Sequence, residues 1–375
     1  MVKKILIIIE TLNGGGAEKV LLDILKKLDT KKYSVDIFLL NKEGIYLKEV
    51  SERVNSLKGL APRNRTYDKN ILFRKINSLY LKIRDMFFIN GYLCKIKNDY
   101  DIEIAFLEGK STQYISNRKN KAEKIAWVHT DLEKHRMLSK SLERECYSRI
   151  DQVISVSKDS KKSVLKLYPE LESKTKVIYN PIPKSDIREK ANEEVVTNKK
   201  LTLVTAGRLT DAKGYDILLK AHKQLLDEGL NYNLQILGEG GLRSEFEKYI
   251  SENNLTQNTE LLGFKRNPYP YIKAADLFVV SSRFEGFSLV LAEAIVLEKP
   301  IISTKCVGPL EILDNGKYGE LVETEDVDSL ANAMRKLILD KQKRQEYKRL
   351  AKERSSFFDD EKIMREIEDL LDDKK

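Results

Sequence analysis

"LTLVTAGRLTDAKGYDILLKAHKQLLDEG", residues 201–229, decides the architecture. Its first six residues are apolar or β-branched without polar alternation, the pattern of a strand covered on both faces. Gly207 ends the run. From Ile217 the apolar residues Ile217, Leu218, Ala221 and Leu225 recur at helical spacing, so strand, turn and helix follow one another as in half of a βαβ unit.

The same alternation extends in both directions. Before it, "KKILIII", "YSVDIFLL", "DIEIAFL", "KIAWVH" and "QVISVS" alternate with segments such as "AEKVLLDILKKL". After it, "NLQILG", "TELLGF", "DLFVVSS" and "KPIISTK" alternate with "LRSEFEKYISENN" and "SLANAMRKLILD". Between the two series lies "NPIPKSDIREKANEEVVTNKK", with two prolines and then a polar stretch, which reads as a linker. The chain of 375 residues is also longer than one hydrophobic core usually organises. The prediction is an α/β protein of two Rossmann-like, doubly wound domains. In such folds ligands meet the carboxyl ends of the strands, so the informative residues should follow each strand.

Composition narrows the class. Cys94, Cys146 and Cys306 are far apart and form no C-x-x-C pair, which argues against a disulfide framework or structural zinc and fits a reducing cytosol. The N-terminal apolar run reads as a buried strand, too short before Glu10 for a signal peptide, and no later stretch is long enough to span a bilayer. Charge is uneven: residues 1–180 hold 36 Lys+Arg and 23 Asp+Glu, net +13, leaving 31 and 35, net −4, of the total +9. The first half therefore suits an anionic partner (a membrane surface, a phosphorylated acceptor or nucleic acid), or else simply carries a solvated lysine-rich surface. Nucleic acid is the poorest of these, since the basic half lacks zinc-finger spacing or an aromatic platform for single strands.

Three post-strand stretches carry chemistry. In "NGGGAEK", Gly14, Gly15 and Gly16 open a helix whose N-terminal amides can meet an anion, although glycine also serves any tight turn. Arg208 and Lys213 lie across the turn after "LTLVTAG", where two cations suit a diphosphate and where single surface charges are the bland alternative. "RFEGFSLVLAEA", residues 283–294, follows a strand, turns at Gly286 and begins a helix near Ser288, so unpaired amides there form an anion site. Glu293, two turns into that helix, can accept from vicinal hydroxyls such as those of a ribose, and Glu285 can do the same for a second sugar.

These residues together resemble the retaining GT-B glycosyltransferases of family 4. The resemblance covers nearly the whole chain, through "GGGAEK", "AFLEG", "WVHTDL", "VISVSK", "YNPIP", "AGRLTDAKGYDILLKA", "LGEGGLR", "AADLFVVSSRFEGFSLVLAEA" and "GPLEIL". It implies a GT-B fold: an acceptor-binding domain at 1–183, a nucleotide-sugar domain at 184–356, the two facing each other across a cleft. Residues 357–375 are expected to form a helix that crosses back to the first domain. Carried onto this sequence, the family's roles make Arg208 and Lys213 ligands of the donor diphosphate, Glu293 of the ribose and Glu285 of the transferred sugar. Phe287, Ser288 and Leu289 join the donor site, and Gly15 and Gly16 line the cleft from the acceptor side. His129 lies near the anomeric carbon, and Glu108 and Lys110 lie with it on the acceptor side. His129, Glu285, Arg208 and Lys213 make up the catalytic set.

The implied activity is retaining hexosyl transfer from a nucleotide sugar, with uridine the expected base, to a glycan or lipid-linked acceptor in cell-surface polysaccharide synthesis. A catalytically inert partner subunit of the same fold and a sugar-nucleotide epimerase are the alternatives; the intact acid and cation set argues against the first. Cations and helix amides that stabilise the departing diphosphate make a metal or other cofactor unnecessary. Two Asp-x-Asp matches, Asp99 with Asp101 and Asp326 with Asp328, precede a strand and a helix, where turn and cap roles suffice. Where many relatives carry an acid before "GP", this chain has Lys305 and Cys306. Residues 61–100 hold nine Lys+Arg against three acids, with Leu72, Ile76, Leu79, Ile83, Met86 and Phe87 at helical spacing. They read either as a basic amphipathic helix on an anionic membrane, peripheral at the inner face, or as a helix covering the first sheet.

Overall fold

The computed structural model describes residues 2–61, 96 and 99–373. The chain divides into two compact units: Met1–Val156 with Lys161–Ile178 and Met364–Lys375, and Ser157–Ser160 with Tyr179–Ile363.

In the first unit, strands β1 (Lys3–Ile9), β2 (Tyr33–Leu39), β3 (Ser56–Gly59), β4 (Ile102–Ala105), β5 (Glu123–Val128), β6 (Gln152–Ser155) and β7 (Thr175–Val177) form one sheet in the order β3-β2-β1-β4-β5-β6-β7. Every pair is parallel. The central strands are the apolar ones: Ile5 to Ile9 of β1 and Ile125 to Val128 of β5 are buried on both faces. The helix Gly16–Lys27 turns Val20, Leu21, Ile24 and Leu25 inward. The C-terminal helix Asp360–Asp372 starts in the second unit and ends in the first, where Lys3 Nζ donates to Leu371 O at 2.6 Å and Lys32 pairs with Glu368 at 3.7 Å.

The second unit repeats the scheme. Strands β8 (Thr202–Ala206), β9 (Asn233–Leu237), β10 (Thr259–Gly263), β11 (Leu277–Val280), β12 (Ile301–Thr304) and β13 (Glu320–Val322) run β10-β9-β8-β11-β12-β13, all parallel. Leu218, Leu219, Leu225, Leu234, Ile236 and Leu277 lie at the centre of its core, each fully enclosed and each contributing about 1.5–3 kcal/mol by leaving water. In both sheets the strand order reverses next to the first strand of the unit, between β1 and β4 and between β8 and β11. That reversal opens a crevice at the carboxyl ends, because the flanking crossovers depart in opposite directions.

The stretch read as a linker carries a helix, Lys184–Lys190, within the second unit. Ile187 is its buried residue, so the segment lacks the apolar periodicity by which a helix is recognised in sequence. The basic stretch 62–95 lies outside the described residues.

Candidate active site

In the second unit the loops leaving β8 and β11 are stitched together. Lys213 closes a short turn, Asp211–Lys213, and Gly214 reverses the chain at φ +60°. A Cβ at Gly214 would stand 2.1 Å from Ser281 O, so the two backbones meet where no side chain fits. Ser281 Oγ donates to Lys213 O at 2.9 Å, and Arg283 N donates to Ala212 O at 2.9 Å. The Lys213 ammonium pairs with Glu285, whose Oε1 also accepts from Ser282 Oγ at 2.8 Å. With side-chain exposures of 21% and 12%, both partners of this pair remain within reach of a ligand. Arg208, just after β8, is exposed.

The loop continues into the helix Leu289–Val296. Ser288 is left-handed at φ 67°, ψ 76°, and its buried hydroxyl has no partner among the described residues. Such backbone strain costs about 1–2 kcal/mol and persists only where the surroundings enforce it. Here Phe287 does so: it is buried, with its ring 6.1 Å from that of Tyr179 and 6.5 Å from that of Phe358. Leu291 N and Ala292 N make the first intrahelical bonds, to Ser288 O, so the amides ahead of Leu291 have no acceptor within the helix and face whatever binds there. Leu289 is half-buried. Glu293 is buried at 3% exposure and accepts from Tyr269 Oη at 3.2 Å, unlike a helix acid that merely faces solvent.

The Lys305–Cys306 departure has a local account. Lys305 pairs outward with Glu323, while Cys306 Sγ donates to Ser282 O at 2.9 Å beside Thr304 Oγ1 at 2.6 Å. Both bonds fix the residue whose hydroxyl holds Glu285.

Sequence reasoning missed three residues here. Arg283 bonds Asp216, Asp211 and Glu325; Tyr269 holds Glu293; Ser282 holds Glu285. Their partners lie far along the chain, except for the Ser282–Glu285 spacing of three, which sits inside the quoted motif.

In the first unit Gly15 and Gly16 follow β1, Glu108 and Lys110 follow β4, and His129 follows β5, three strands adjacent at the order reversal. The helix Gly16–Lys27 does not present all its leading amides. Gly15 N donates to Glu18 Oε2 at 2.6 Å, and Thr11 Oγ1 donates to the other oxygen. A helix acid three residues on thus occupies part of the anion site expected at the glycines, as in a capping box. Glu108 is buried and accepts from His129 N at 3.0 Å; burial raises its carboxyl above the usual range, opposed by that backbone bond. Lys110 is half-buried at the start of the helix Lys110–Asn117. The His129 ring packs 5.1 Å from Phe106 and 6.5 Å from Trp127. Although the residue is half-buried as a whole, Nε2 is out of water without a partner among the described residues. That desolvation pushes the imidazole down to about 3, so it is neutral at physiological pH.

The Asp-x-Asp residues are engaged elsewhere. Lys4 donates through N to Asp101 and through Nζ to Asp99, both at 2.8 Å, and Asp326 caps the helix Val327–Leu339 by accepting from Ser329 N at 2.8 Å. Among the described residues no three His, Cys, Asp or Glu side chains are grouped to hold a metal, and no helix is long and apolar enough to cross a membrane.

Comparison with known proteins places these features in context. Residues 14–186 match the family model described as Glycosyltransferase Family 4, and residues 186–354 the model described as glycosyl transferases group 1. The N-acetylgalactosamine-N,N'-diacetylbacillosaminyl-diphospho-undecaprenol 4-alpha-N-acetylgalactosaminyltransferase of Campylobacter jejuni is 28% identical over 97% of this chain and 98% of its own length. The capsular polysaccharide biosynthesis glycosyltransferase CapM of Staphylococcus aureus is 31% identical over 40% of this chain and 39% of its own. Among solved structures, Anabaena HepE with UDP-glucose superposes at a TM-score of 0.74, with 20% identity, covering 98% of this chain and 99% of its own. A point mutant of S. aureus TarM with UDP, Fondaparinux and alpha-GlcNAc-glycerol reaches 0.78 at 16% identity, covering 99% and 100%.

Proposed function

The chain belongs to the glycosyl transferases of group 1 and family 4, and from that premise we propose a retaining, metal-independent hexosyltransferase. It moves a hexose or N-acetylhexosamine from a nucleotide sugar, UDP-linked, to a hydroxyl of a glycan or lipid-linked acceptor in cell-surface polysaccharide synthesis. The observation that carries this reading is the Lys213–Glu285 pair at the strand-order reversal of the second unit, beside a helix start with unpaired amides. A cation and helix amides suit a diphosphate; a carboxylate suits sugar hydroxyls.

Donor binding transfers Lys213 from Glu285 to the diphosphate, with Arg208 as the second cation. Released from the ammonium, Glu285 remains held by Ser282 and accepts from hydroxyls of the transferred sugar. Glu293 accepts from the ribose. As the bond between the anomeric carbon and the β-phosphate oxygen breaks, the growing negative charge meets Lys213, Arg208 and the amides around Ser288. The acceptor hydroxyl attacks from the face the leaving group vacates and gives its proton to the departing phosphate, which retains the anomeric configuration. Neutral His129 serves as a hydrogen-bond partner to the reacting sugar rather than as a cation. Glu108, bonded to its main chain, sets its position, which is a supporting task rather than direct contact with the acceptor.

The diphospho-undecaprenol in the name of the C. jejuni relative and the basic first half favour work at an anionic membrane surface, at the inner face of the plasma membrane. Salt-sensitive binding to anionic liposomes, lost when Arg74, Lys75, Lys82 and Arg84 become glutamine, tests that part; wild-type protein that ignores such liposomes at low salt refutes it. For the reaction, the protein is incubated with a panel of sugar nucleotides and acceptor glycans, with and without excess EDTA, and products are read by mass spectrometry and anomeric NMR. Transfer that persists in EDTA with retained configuration is expected. Inversion, or abolition by EDTA with rescue by manganese, overturns the mechanism.

A further inference from the structure

Arg283 sits two residues before Glu285, yet its side chain turns to the opposite loop. The guanidinium has five N–H donors, and the protein meets all of them. One Nη donates to Asp216 Oδ1 at 2.9 Å and Asp211 O at 2.6 Å, the other to Asp216 Oδ2 at 2.9 Å and Glu325 Oε2 at 3.4 Å, and Nε donates to Glu325 Oε1. Its main-chain N–H donates to Ala212 O at 2.9 Å. With a side-chain exposure of 18% and its fork filled by carboxylates, it has nothing left for a phosphate. What it grips is informative: Asp211, Ala212 and Asp216 bracket Lys213 on both sides.

We propose that Arg283 is a positioning residue for Lys213: it pins both ends of the Asp211–Asp216 segment to the loop after β11 that carries Glu285, and so aims the ammonium at the donor diphosphate without touching it. Bidentate geometry is essential to this role, because the three donors of an ammonium on its flexible stem cannot replace the five contacts that the planar guanidinium makes to Asp216, Glu325 and the Asp211 carbonyl. The inference rests on the donor site proposed above, and it separates Arg283 from Arg208, which is exposed.

A double-mutant cycle tests it, with UDP and uridine as probes, binding followed by calorimetry for UDP and by ligand-observed NMR for uridine. Arg283→Gln should weaken UDP about tenfold, or about 1.4 kcal/mol, leave uridine binding unchanged, and not be rescued by Arg283→Lys. In a Lys213→Ala background the same change should cost less than about twofold, because the lysine it aims is gone. Equal weakening of UDP and uridine, or an undiminished effect of Arg283→Gln beside Lys213→Ala, overturns the proposal. If Arg283→Gln fails to fold, Asp216→Asn removes one arm of the clamp and should give the same selective pattern at a few-fold; its absence is equally fatal. Lys213→Ala that leaves UDP affinity intact defeats the donor-site reading, and this proposal with it; Lys213→Ala that weakens UDP while Arg283→Gln is silent defeats this proposal alone.

Discussion

Replacing Gly214 by alanine tests how the donor loops are joined. Two costs add. A left-handed conformation at φ +60° costs a non-glycine residue about 1–2 kcal/mol. The new Cβ would also stand 2.1 Å from Ser281 O, where ordinary contact begins at 3.4 Å, so the turn must retreat by 3.4 − 2.1 = 1.3 Å. That retreat stretches the 2.9 Å bond from Ser281 Oγ to Lys213 O, at a cost of about 1 kcal/mol. The sum is about 2–3 kcal/mol, or roughly 4–12 °C in the unfolding midpoint of a unit this size. Gly229 is the internal control: it has φ +86° but nothing within 4 Å of an added Cβ, so Gly229→Ala incurs the backbone cost alone. Thermal unfolding by circular dichroism and UDP calorimetry on both variants separate the effects. Gly214→Ala should be the less stable and should weaken UDP at least several-fold, while Gly229→Ala leaves UDP binding at the wild-type value. Equal stability losses with equal UDP affinity would refute the claim that close backbone approach sets Lys213.

His129→Ala should lower turnover far more than it weakens UDP, since the ring's partner is the reacting sugar; equal losses in a paired rate and binding measurement make it a structural residue. Because burial already holds His129 neutral, the pH–rate profile should show no inflection from it between about pH 5 and 8. His222 supplies a stability test. It is fully enclosed between Tyr232 Oη at 2.7 Å and Thr259 Oγ1 at 3.0 Å, and burial lowers it from 6.5 to about 4. The unfolded chain therefore binds the extra proton between those values, so stability is fully present above 6.5 and falls toward pH 4, by about 2 kcal/mol at pH 5 and about 3 kcal/mol in all. Urea midpoints at pH 7 and 5 should differ less in His222→Gln than in the wild type, and an unchanged difference removes the assignment.

Much of the fold was legible because parallel strands buried on both faces must read as unbroken apolar runs, as "KKILIII", "LTLVTA" and "DLFVV" do. The edges were not. β3, β7 and β13 are three or four residues long and carry lysine, threonine or glutamate on a half-covered edge, where neither length nor hydrophobicity distinguishes a strand from a loop. The helix Lys184–Lys190 was hidden for the same reason. In the site, Lys213, Glu285 and Glu293 stood in a spacing that sequence preserves. Arg283 did not stand out because its meaning lies in Asp216 and Glu325, 67 and 42 positions away, and Tyr269 because Glu293 is 24 residues on. The Glu18 carboxylate at Gly15 was within reach, since its spacing of three is that of a capping box; the three glycines drew attention to the backbone and away from it.

The central claim is that the carboxylate paired with Lys213 handles the transferred sugar while the lysine handles the diphosphate. Glu285→Gln keeps the size of the side chain and its bond to Ser282 and removes the charge that competes for Lys213. Turnover with the cognate sugar nucleotide, measured beside UDP affinity on the same preparation, is the direct test. The account predicts turnover reduced by about 100-fold or more, near 3 kcal/mol of transition-state stabilisation, with UDP bound as tightly as by the wild type or more so. Turnover close to wild type, or a loss of UDP affinity as large as the loss of rate, would contradict it.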